Sequence, residues 1–435
     1  MATLPQQFET LDPKTITEWN LEFKNYKKTS AELSGLVTQL SIFESIYNNC
    51  MFGNIKIQDG TGFVEGNGIV GSGVEEVHFE LLTINTGTAK TANLEKDFRI
   101  NSISGGIKNP KFTEYDIGIA SKYLFINNKK KISRSYLKMT ASEIVSDVGA
   151  NILEFGSHGI WTDLKLTPTL HEKNTVVPNW NPFQLINFLA RNSVSADGAS
   201  DYLFFENNDG FKFQTIDELK AGDIKRFLTL KNMPVKMIDD IKGFSVDDAM
   251  MENYVEQSRF NLSNGQMNGT YGGSILTHNI LEKKLEEFTV EYDAEKHKIV
   301  AEGIGLNGPP GAPFTDFNVW QHTGFMSSNY LYAIHDKGEY SHYPWHDMKK
   351  AELRSNLIKF DIPGDSNIFA GDILQLRIPT HIHTHDIPED QYLTGNWLVT
   401  AIHHKISPSG YTQTLECMKD GFYSDPDITI PARAW

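Results

Sequence analysis

The densest run of metal-capable side chains is His381-x-His383-x-His385-Asp386. In an extended segment alternate residues share one side, so the three imidazoles would project together. Imidazole nitrogen suits zinc, iron or nickel, and Asp386 could add an oxygen. His403-His404 could approach if neighbouring strands pair. Against a metal centre, Pro379 and Pro388 flank the segment, which reads as a loop between two strands. The helical H-E-x-x-H pattern, which fixes two ligands at once, does not occur, and His-rich tracts are unspecific. In a symmetric oligomer one such histidine per chain could meet at the axis. His342-x-x-x-His346-Asp347 has helical ligand spacing, but Pro344 between the histidines spoils a regular helix. That stretch reads as a surface loop whose Tyr340, Tyr343 and Trp345 suit an interface. No metal ligand is assigned.

Other chemistries find less support. No G-x-S-x-G nucleophile elbow is present. Cys50, beside Met51-Phe52, and Cys417, in a strand pattern, read as buried structural thiols. Gly66-x-Gly68-x-x-Gly71 matches the dinucleotide fingerprint literally, but a β pattern continues after it and no helix opens. Glycines of turns or bulges explain it better. A carboxylate pair for sugar hydrolysis is a matter of tertiary distance and cannot be chosen from spacing. No catalytic or cofactor-binding residue is assigned, no cofactor is expected, and the chain reads as a non-enzyme.

The elements that would position such residues are mostly strands. The 435 residues exceed one ordinary core and predict two to four domains. Apolar residues make up 40%, enough for a sizeable core, and the 26 Phe and 16 Tyr favour sheets. A net charge of −15 argues against sequence-independent grip on DNA phosphates. It fits plain solubility, or a channel that must pass DNA without holding it. Two cysteines are too few for a disulfide scaffold. No signal peptide and no membrane span are visible, which predicts a protein that stays soluble in a reducing cytoplasm.

Along the chain, residues 1–127 read as a first small β-barrel or sandwich. Its strands are predicted at Gly53–Ile57, Val77–Ile84, Phe98–Ile103 and Glu114–Ile119, with a hairpin turn at Asp59-Gly60. Residues 128–226 read as an α+β domain. Thr140-x-x-Glu143 predicts a capping box, with Ile144, Val148 and Ile152 on one helical face. Asn181-Pro182 predicts a second helix start with Asn as cap, and Phe183, Ile186, Leu189 and Ala190 as its buried stripe. Asp201–Glu206 and Phe211–Gln214 flank an Asn-Asn-Asp-Gly turn. Residues 227–261 with 351–422 read as a second barrel, including a strand pair within Met237–Asp247. Residues 262–350 read as an aromatic-rich insertion with one short helix on Leu281, Leu285 and Phe288, and 423–435 as an extended tail. A weak repeat relates Gly66–Val70, Phe98–Ile103 and Tyr115–Ile119 to Gly371–Leu374, Trp397–His403 and Tyr411–Cys417, as a duplicated barrel would. The fold class is therefore α+β, mainly β: two tandem small barrels, an intervening α+β domain and an insertion.

The chain resembles the central hub proteins of contractile-tailed phages, related to the late-control tail proteins and to the hub half of type VI secretion spikes. Four stretches carry this: Ile42–Gly53 with Asn54–Gly60 and Gly66–Leu82; Asn179–Arg191; Asp201–Glu206 with Gly210–Phe213; and Asp361–Asn367 with Gly371–Leu374, Gly395–His404 and Thr412–Glu416. They are patterns over most of the chain rather than a catalytic signature. The resemblance implies a homotrimer of two-barrel chains, six similar units round one axis, joining a sixfold tail tube to a threefold central spike and lining the DNA channel. It implies as partners the spike protein, tail tube or tube-initiator proteins and baseplate wedge proteins, with the tape measure protein a further candidate. It implies neither specific nucleic-acid binding nor a membrane span. The expected location is the virion tail baseplate, assembled in the bacterial host cytoplasm. The competing readings are a tail-associated cell-wall hydrolase and a peripheral receptor- or carbohydrate-binding tail protein.

Overall fold

A computed structural model describes residues 17–24, 30–66, 76–84, 90–155, 163–196, 198–230, 250–258, 272–279, 284–291, 346, 349–350, 353–354, 356–378, 390 and 393–419. Seven strands open the fold: β1 (Thr17–Lys24), β2 (Ser30–Glu32), β3 (Val37–Ser45), β4 (Phe52–Asp59), β5 (Glu76–Ile84), β6 (Lys90–Asn109) and β7 (Phe112–Ser121). They pair antiparallel in the order β3-β4-β7-β6-β5-β1-β2. Alternation sends Ile55 and Ile57 of β4, Phe79 of β5, Phe98 of β6 and Ile117 and Ile119 of β7 into one core. A single helical turn, α1 (Phe63–Gly66), follows β4. The expected hairpin at Asp59-Gly60 is therefore not formed: β4 pairs with β3 and β7, not with the next strand. The Asp59 carboxylate instead accepts the Thr61 and Val64 N–H groups at 2.9 and 2.8 Å and caps α1. Gly66 ends that turn, whereas Gly371, its counterpart in the weak repeat, lies in a turn two residues before the strand that begins at Ile373. Gly68 and Gly71 lie outside the described residues.

The middle of the chain contains α2 (Lys122–Lys129), β8 (Ile132–Thr140), α3 (Ala141–Asp147), β9 (Asp163–Leu166), β10 (Glu172–Trp180), α4 (Pro182–Arg191), β11 (Tyr202–Asn207), β12 (Gly210–Thr215) and α5 (Ile216–Lys220). The capping box forms as expected: Thr140 Oγ1 accepts from Glu143 N at 3.2 Å, and Glu143 Oε2 accepts from Thr140 N at 2.8 Å. Ile144 and Val148 are buried below it. Asn181 does stand at the N-cap of α4, but its side chain caps nothing. Asn127 Oδ1, at the end of α2, takes the Phe183 N–H at 2.8 Å instead. A tertiary neighbour thus supplies the acceptor that the helix end requires. The expected stripe Phe183, Ile186, Leu189, Ala190 is buried, and β11 and β12 pair from Tyr202↔Thr215 to Asn207↔Gly210 across the expected turn.

Six later strands close a ring: β13 (Ile224–Leu230), β14 (Met250–Ser258), β17 (Asn356–Pro363), β18 (Ile373–Arg377), β19 (Gly395–Ser407) and β20 (Gly410–Lys419), in the order β18-β13-β14-β17-β20-β19 with β18 pairing back to β19. Leu228, Phe360, Leu374, Leu376, Trp397 and Leu415 fill it. Between β14 and β17 lies a hairpin of β15 (Gly272–Asn279) and β16 (Lys284–Glu291). The expected helix on Leu281, Leu285 and Phe288 is corrected here: Leu285 and Phe288 belong to β16. So short an apolar run fits either period, and the eight-residue register with β15 decides for strand. The Met237–Asp247 strand pair lies outside the described residues. Of the weak repeat, the later two strands correspond as antiparallel pairs, β6–β7 and β19–β20. Among the described residues no helix is long and apolar enough to cross a membrane.

Candidate functional site at the seam of the opening sheet and the closed barrel

Strand β19 pairs antiparallel with β3, from Ala401↔Ser45 to Ile406↔Leu40, so the seven opening strands and the closed six-stranded barrel form one thirteen-stranded sheet. The seam has two chemically different faces. On one, His403 stacks on Phe43 (centroids 4.3 Å apart) and Phe43 on Phe52 (5.1 Å), an aromatic ladder across β19, β3 and β4. Phe52 is 44% exposed. Burial, then the neighbouring Lys405 and His404, hold His403 neutral, with its pKa lowered to about 4.

The other face is buried and polar. Leu40 and Ile42 enter the first core, and the same alternation turns Glu44 inward, where its side chain has no exposure. Glu44 Oε2 accepts the Ala370 N–H at 3.1 Å, and Oε1 lies 3.5 Å from His404 Nε2. The two atoms are not aligned as a hydrogen bond. His404 Nδ1 is 3.2 Å from Gln413 Nε2 and 2.9 Å from the Tyr411 hydroxyl. Gln413 Oε1 accepts the Asp365 N–H, so its Nε2 is the donor end. His404 Nδ1 therefore accepts, and Nε2 carries the hydrogen that faces Glu44. Gln413 Nε2 also donates to Asp365 O at 2.9 Å, and Arg226 pairs with the Asp365 carboxylate.

A second buried carboxylate ties β11 to the opening sheet. Glu206, at the end of β11 and fully buried, pairs with Lys96 Nζ of β6 at 2.8 Å. It also accepts from Ser121 Oγ at 3.0 Å and from Met51 N at 3.1 Å. The next residue, Asn207, donates from Nδ2 to Ala370 O at 2.9 Å. The Ala370 backbone is thus held by Glu44 of the opening sheet through its N–H and by Asn207 of β11 through its C=O. Apolar contacts complete this three-way junction: Ile46 of the first barrel, Leu203 and Phe205 of the middle domain and Ile373, Leu398 and Met418 of the second pack together. Gly371 has φ +97, which requires glycine, and a Cβ there would crowd Phe205 Cζ at 3.1 Å.

Gly364 illustrates the same closeness. A Cβ at this position would overlap Cγ and Cδ1 of the Tyr411 ring. Gly364→Ala is expected to cost about 1–3 kcal/mol by overpacking, and to pull Tyr411 off His404. Urea unfolding followed by tyrosine fluorescence checks this; an unchanged midpoint would refute it.

The histidine-rich segment His381–Asp386, and His342 and Asp347, lie outside the described residues. Of the other histidines considered, His403 faces outward in the ladder, His404 faces Glu44, and His346 is 2% exposed with Nδ1 2.8 Å from Ser200 O. These three are not brought together, and among the described residues no cluster of three metal-capable groups occurs. Cys417 is buried and Cys50 half-buried; burial pushes both thiols well above their ordinary range, as structural cysteines require. Spacing alone does not single out Glu44 and Glu206. The signal they leave is a lone carboxylate at the inward phase of an alternating strand.

His346 sets a pH dependence. Burial, then Lys350, lowers its pKa to about 3. On acidification below about 6.5 the unfolded chain takes up this proton and the native one does not, so stability falls until about pH 3. Asp201, fully buried and raised to about 6 by burial and Asp217, acts oppositely as pH falls from 6 to its usual 3.8. The wild type minus His346→Gln isolates the histidine: the variant should lose less stability between pH 6.5 and 4. Parallel pH profiles in urea unfolding would contradict this.

No family model matches the chain. The opening sheet, the closed six-stranded barrel and the elements between them match the fold of phage tail proteins. The chain superposes on a tail protein from Neisseria meningitidis MC58 with a TM-score of 0.53 at 9% identity, covering 94% of this chain and 98% of that one. It superposes on the 43 kDa tail protein of prophage MuSo2 from Shewanella oneidensis with a TM-score of 0.50 at 9% identity, covering 92% and 98%. In sequence it is similar to the probable baseplate hub protein gp334 of Vibrio phage KVP40, 20% identical over 406 residues, or 90% of this chain and 91% of that protein.

Proposed function

We propose that the chain is the structural hub of a contractile phage tail baseplate and resides in the virion. The observation that carries this reading is the β19–β3 seam, which joins the seven opening strands and the closed six-stranded barrel in one sheet, in a chain similar over 90% of its length to a probable baseplate hub protein. The proteins it resembles are tail and baseplate proteins, and we read the chain as structural rather than enzymatic. The buried junction fits that work: it holds the opening sheet, the closed barrel and the elements between them together, as an adaptor between other proteins needs.

The finer reading is a homotrimer. Three chains would set six barrels round one axis, offering a sixfold face to the tail tube or its initiator and a threefold face to the central spike. Residues 1–127, and 227–261 with 351–422, would supply the barrels, 128–226 the middle domain, 262–350 an insertion and 423–435 a tail. Wedge proteins and the tape measure protein would be its other neighbours. The net charge of −15 would keep DNA from adhering in the channel. Assembly would occur in the host cytoplasm. Quantitative mass spectrometry of purified virions tests this: three copies per tail are expected, and the dozens typical of a peripheral binder would refute it.

A further inference from the structure

Strands β3-β4-β7-β6-β5-β1 of the opening sheet and β14-β17-β20-β19-β18-β13 of the closed barrel follow one order. Counted along the chain within each set, with β2 left aside, both run second, third, sixth, fifth, fourth, first. Strands β6 and β19 also share an irregularity. The β6–β7 register shifts between Ile100 and Ser102, opposite Ile119 and Gly118. The β19–β20 register shifts between Val399 and Ala401, opposite Cys417 and Glu416. Ser102 therefore corresponds to Ala401, and Gly105 to His404. From Ala401 onward the other edge of β19 pairs with β3. The other edge of β6 is taken by β5 only as far as Arg99, and residues 100–109 have no strand partner there among the described residues. The counterpart of β3 is β14. Its edge away from β17 is taken by β13 only at Met250 and Met251, which leaves residues 252–258 without a strand partner there among the described residues. Val255, on this stretch, is 52% exposed. We infer that these two open edges meet between copies of the chain: residues 102–105 of β6 pair antiparallel with residues 254–258 of β14 in a second copy, repeating the β19–β3 seam. Such pairing satisfies the backbone N–H and C=O groups that an open edge leaves unpaired. The register carries over as well. Ile42 pairs with Gly53, and Gly53 with Ile119. Glu256 pairs with Ile358, and Ile358 with Cys417, the counterpart of Ile119. Glu256 thus stands in the place of Ile42. Because His404 faces Ile42, Gly105 faces the second copy's Glu256. The contact sets one kind of edge against another, so it repeats from chain to chain and can close a ring. It rests on the trimeric reading and adds which strands meet.

The test uses the full chain carrying Ser104→Cys with either Gln257→Cys or Ser258→Cys. The β14–β17 register shift between Glu256 and Ser258 leaves both positions beside the expected mate of Ser104. Ser104 and Gln257 are exposed and Ser258 is half-buried, so the substitutions are mild. Opposed residues of antiparallel strands lie about 4.5–5.5 Å apart at Cα, within reach of a disulfide. Mild oxidation of one of the two pairs is expected to give reducible products that end at three chains on a denaturing gel. Each single-cysteine variant is expected to stay uncrosslinked. Dimers from Ser104→Cys alone would place like edge on like edge and overturn the inference. So would the absence of cross-links from both pairs. If light scattering then finds a trimer, alone or with the spike, only the edge pairing falls; if it finds a monomer under both conditions, the trimeric reading falls with it. Hydrogen exchange of the unmodified chain keeps the inference falsifiable if the variants do not fold. Amides of residues 102–105 and 254–258 are expected to exchange about tenfold more slowly in the trimer than in the dilute chain. Unchanged exchange in both segments would overturn the inference.

Discussion

Replacing Glu206 by leucine is expected to cost about 3–5 kcal/mol, the penalty for leaving a buried charge without its partner. Lys96 would stay in a site with 10% side-chain exposure, facing hydrocarbon instead of a carboxylate. The Ser121 hydroxyl and the Met51 N–H would lose their acceptor as well. Adding Lys96→Met should restore the charge part of the loss but not the part due to those two donors. The double variant is therefore expected between the single variant and wild type in urea unfolding. A Glu206→Leu chain within about 0.5 kcal/mol of wild type, the range of ordinary surface changes, would show that the pair does not hold the middle domain to the first barrel.

Trp397→Ala should be comparably severe, at about 3–5 kcal/mol, because it empties the centre of a closed barrel. The indole is 1% exposed, pairs across to Leu374 of β18 and donates from Nε1 to Leu393 O at 2.8 Å. Strand β19 carries both this ring and the seam with β3. Loss of the indole should therefore loosen the His403–Phe43 stack as well as the second core. Near-ultraviolet circular dichroism and the urea midpoint would report both; a variant with a native midpoint would contradict the packing described.

What could be read from the sequence was what neighbouring residues decide among themselves. The Thr140–Glu143 capping box spans one helical turn, and the Asn-Asn-Asp-Gly hairpin joins adjacent strands, so each needs no distant partner. Asp59-Gly60 carries a turn signal, but a turn does not say which strand pairs next, and here α1 intervenes. Asn181 marks a true helix start, yet the acceptor came from Asn127 on another helix. Leu281, Leu285 and Phe288 matched a helical stripe until the register with β15 chose strand. The junction was least visible. Glu44 and Glu206 are unremarkable carboxylates in strand patterns, and their partners His404 and Lys96 lie far along the chain. Only the alternation Leu40, Ile42, Glu44, Ile46 hints that a charge points inward.

The hub reading is tested most directly by the solution mass of the purified protein, measured by light scattering alone and with its candidate spike protein. A hub should have three times the 49.1 kDa chain mass, either by itself or once the spike is added. A stable monomer that never trimerises with the spike would contradict the trimeric hub and favour a peripheral place in the tail.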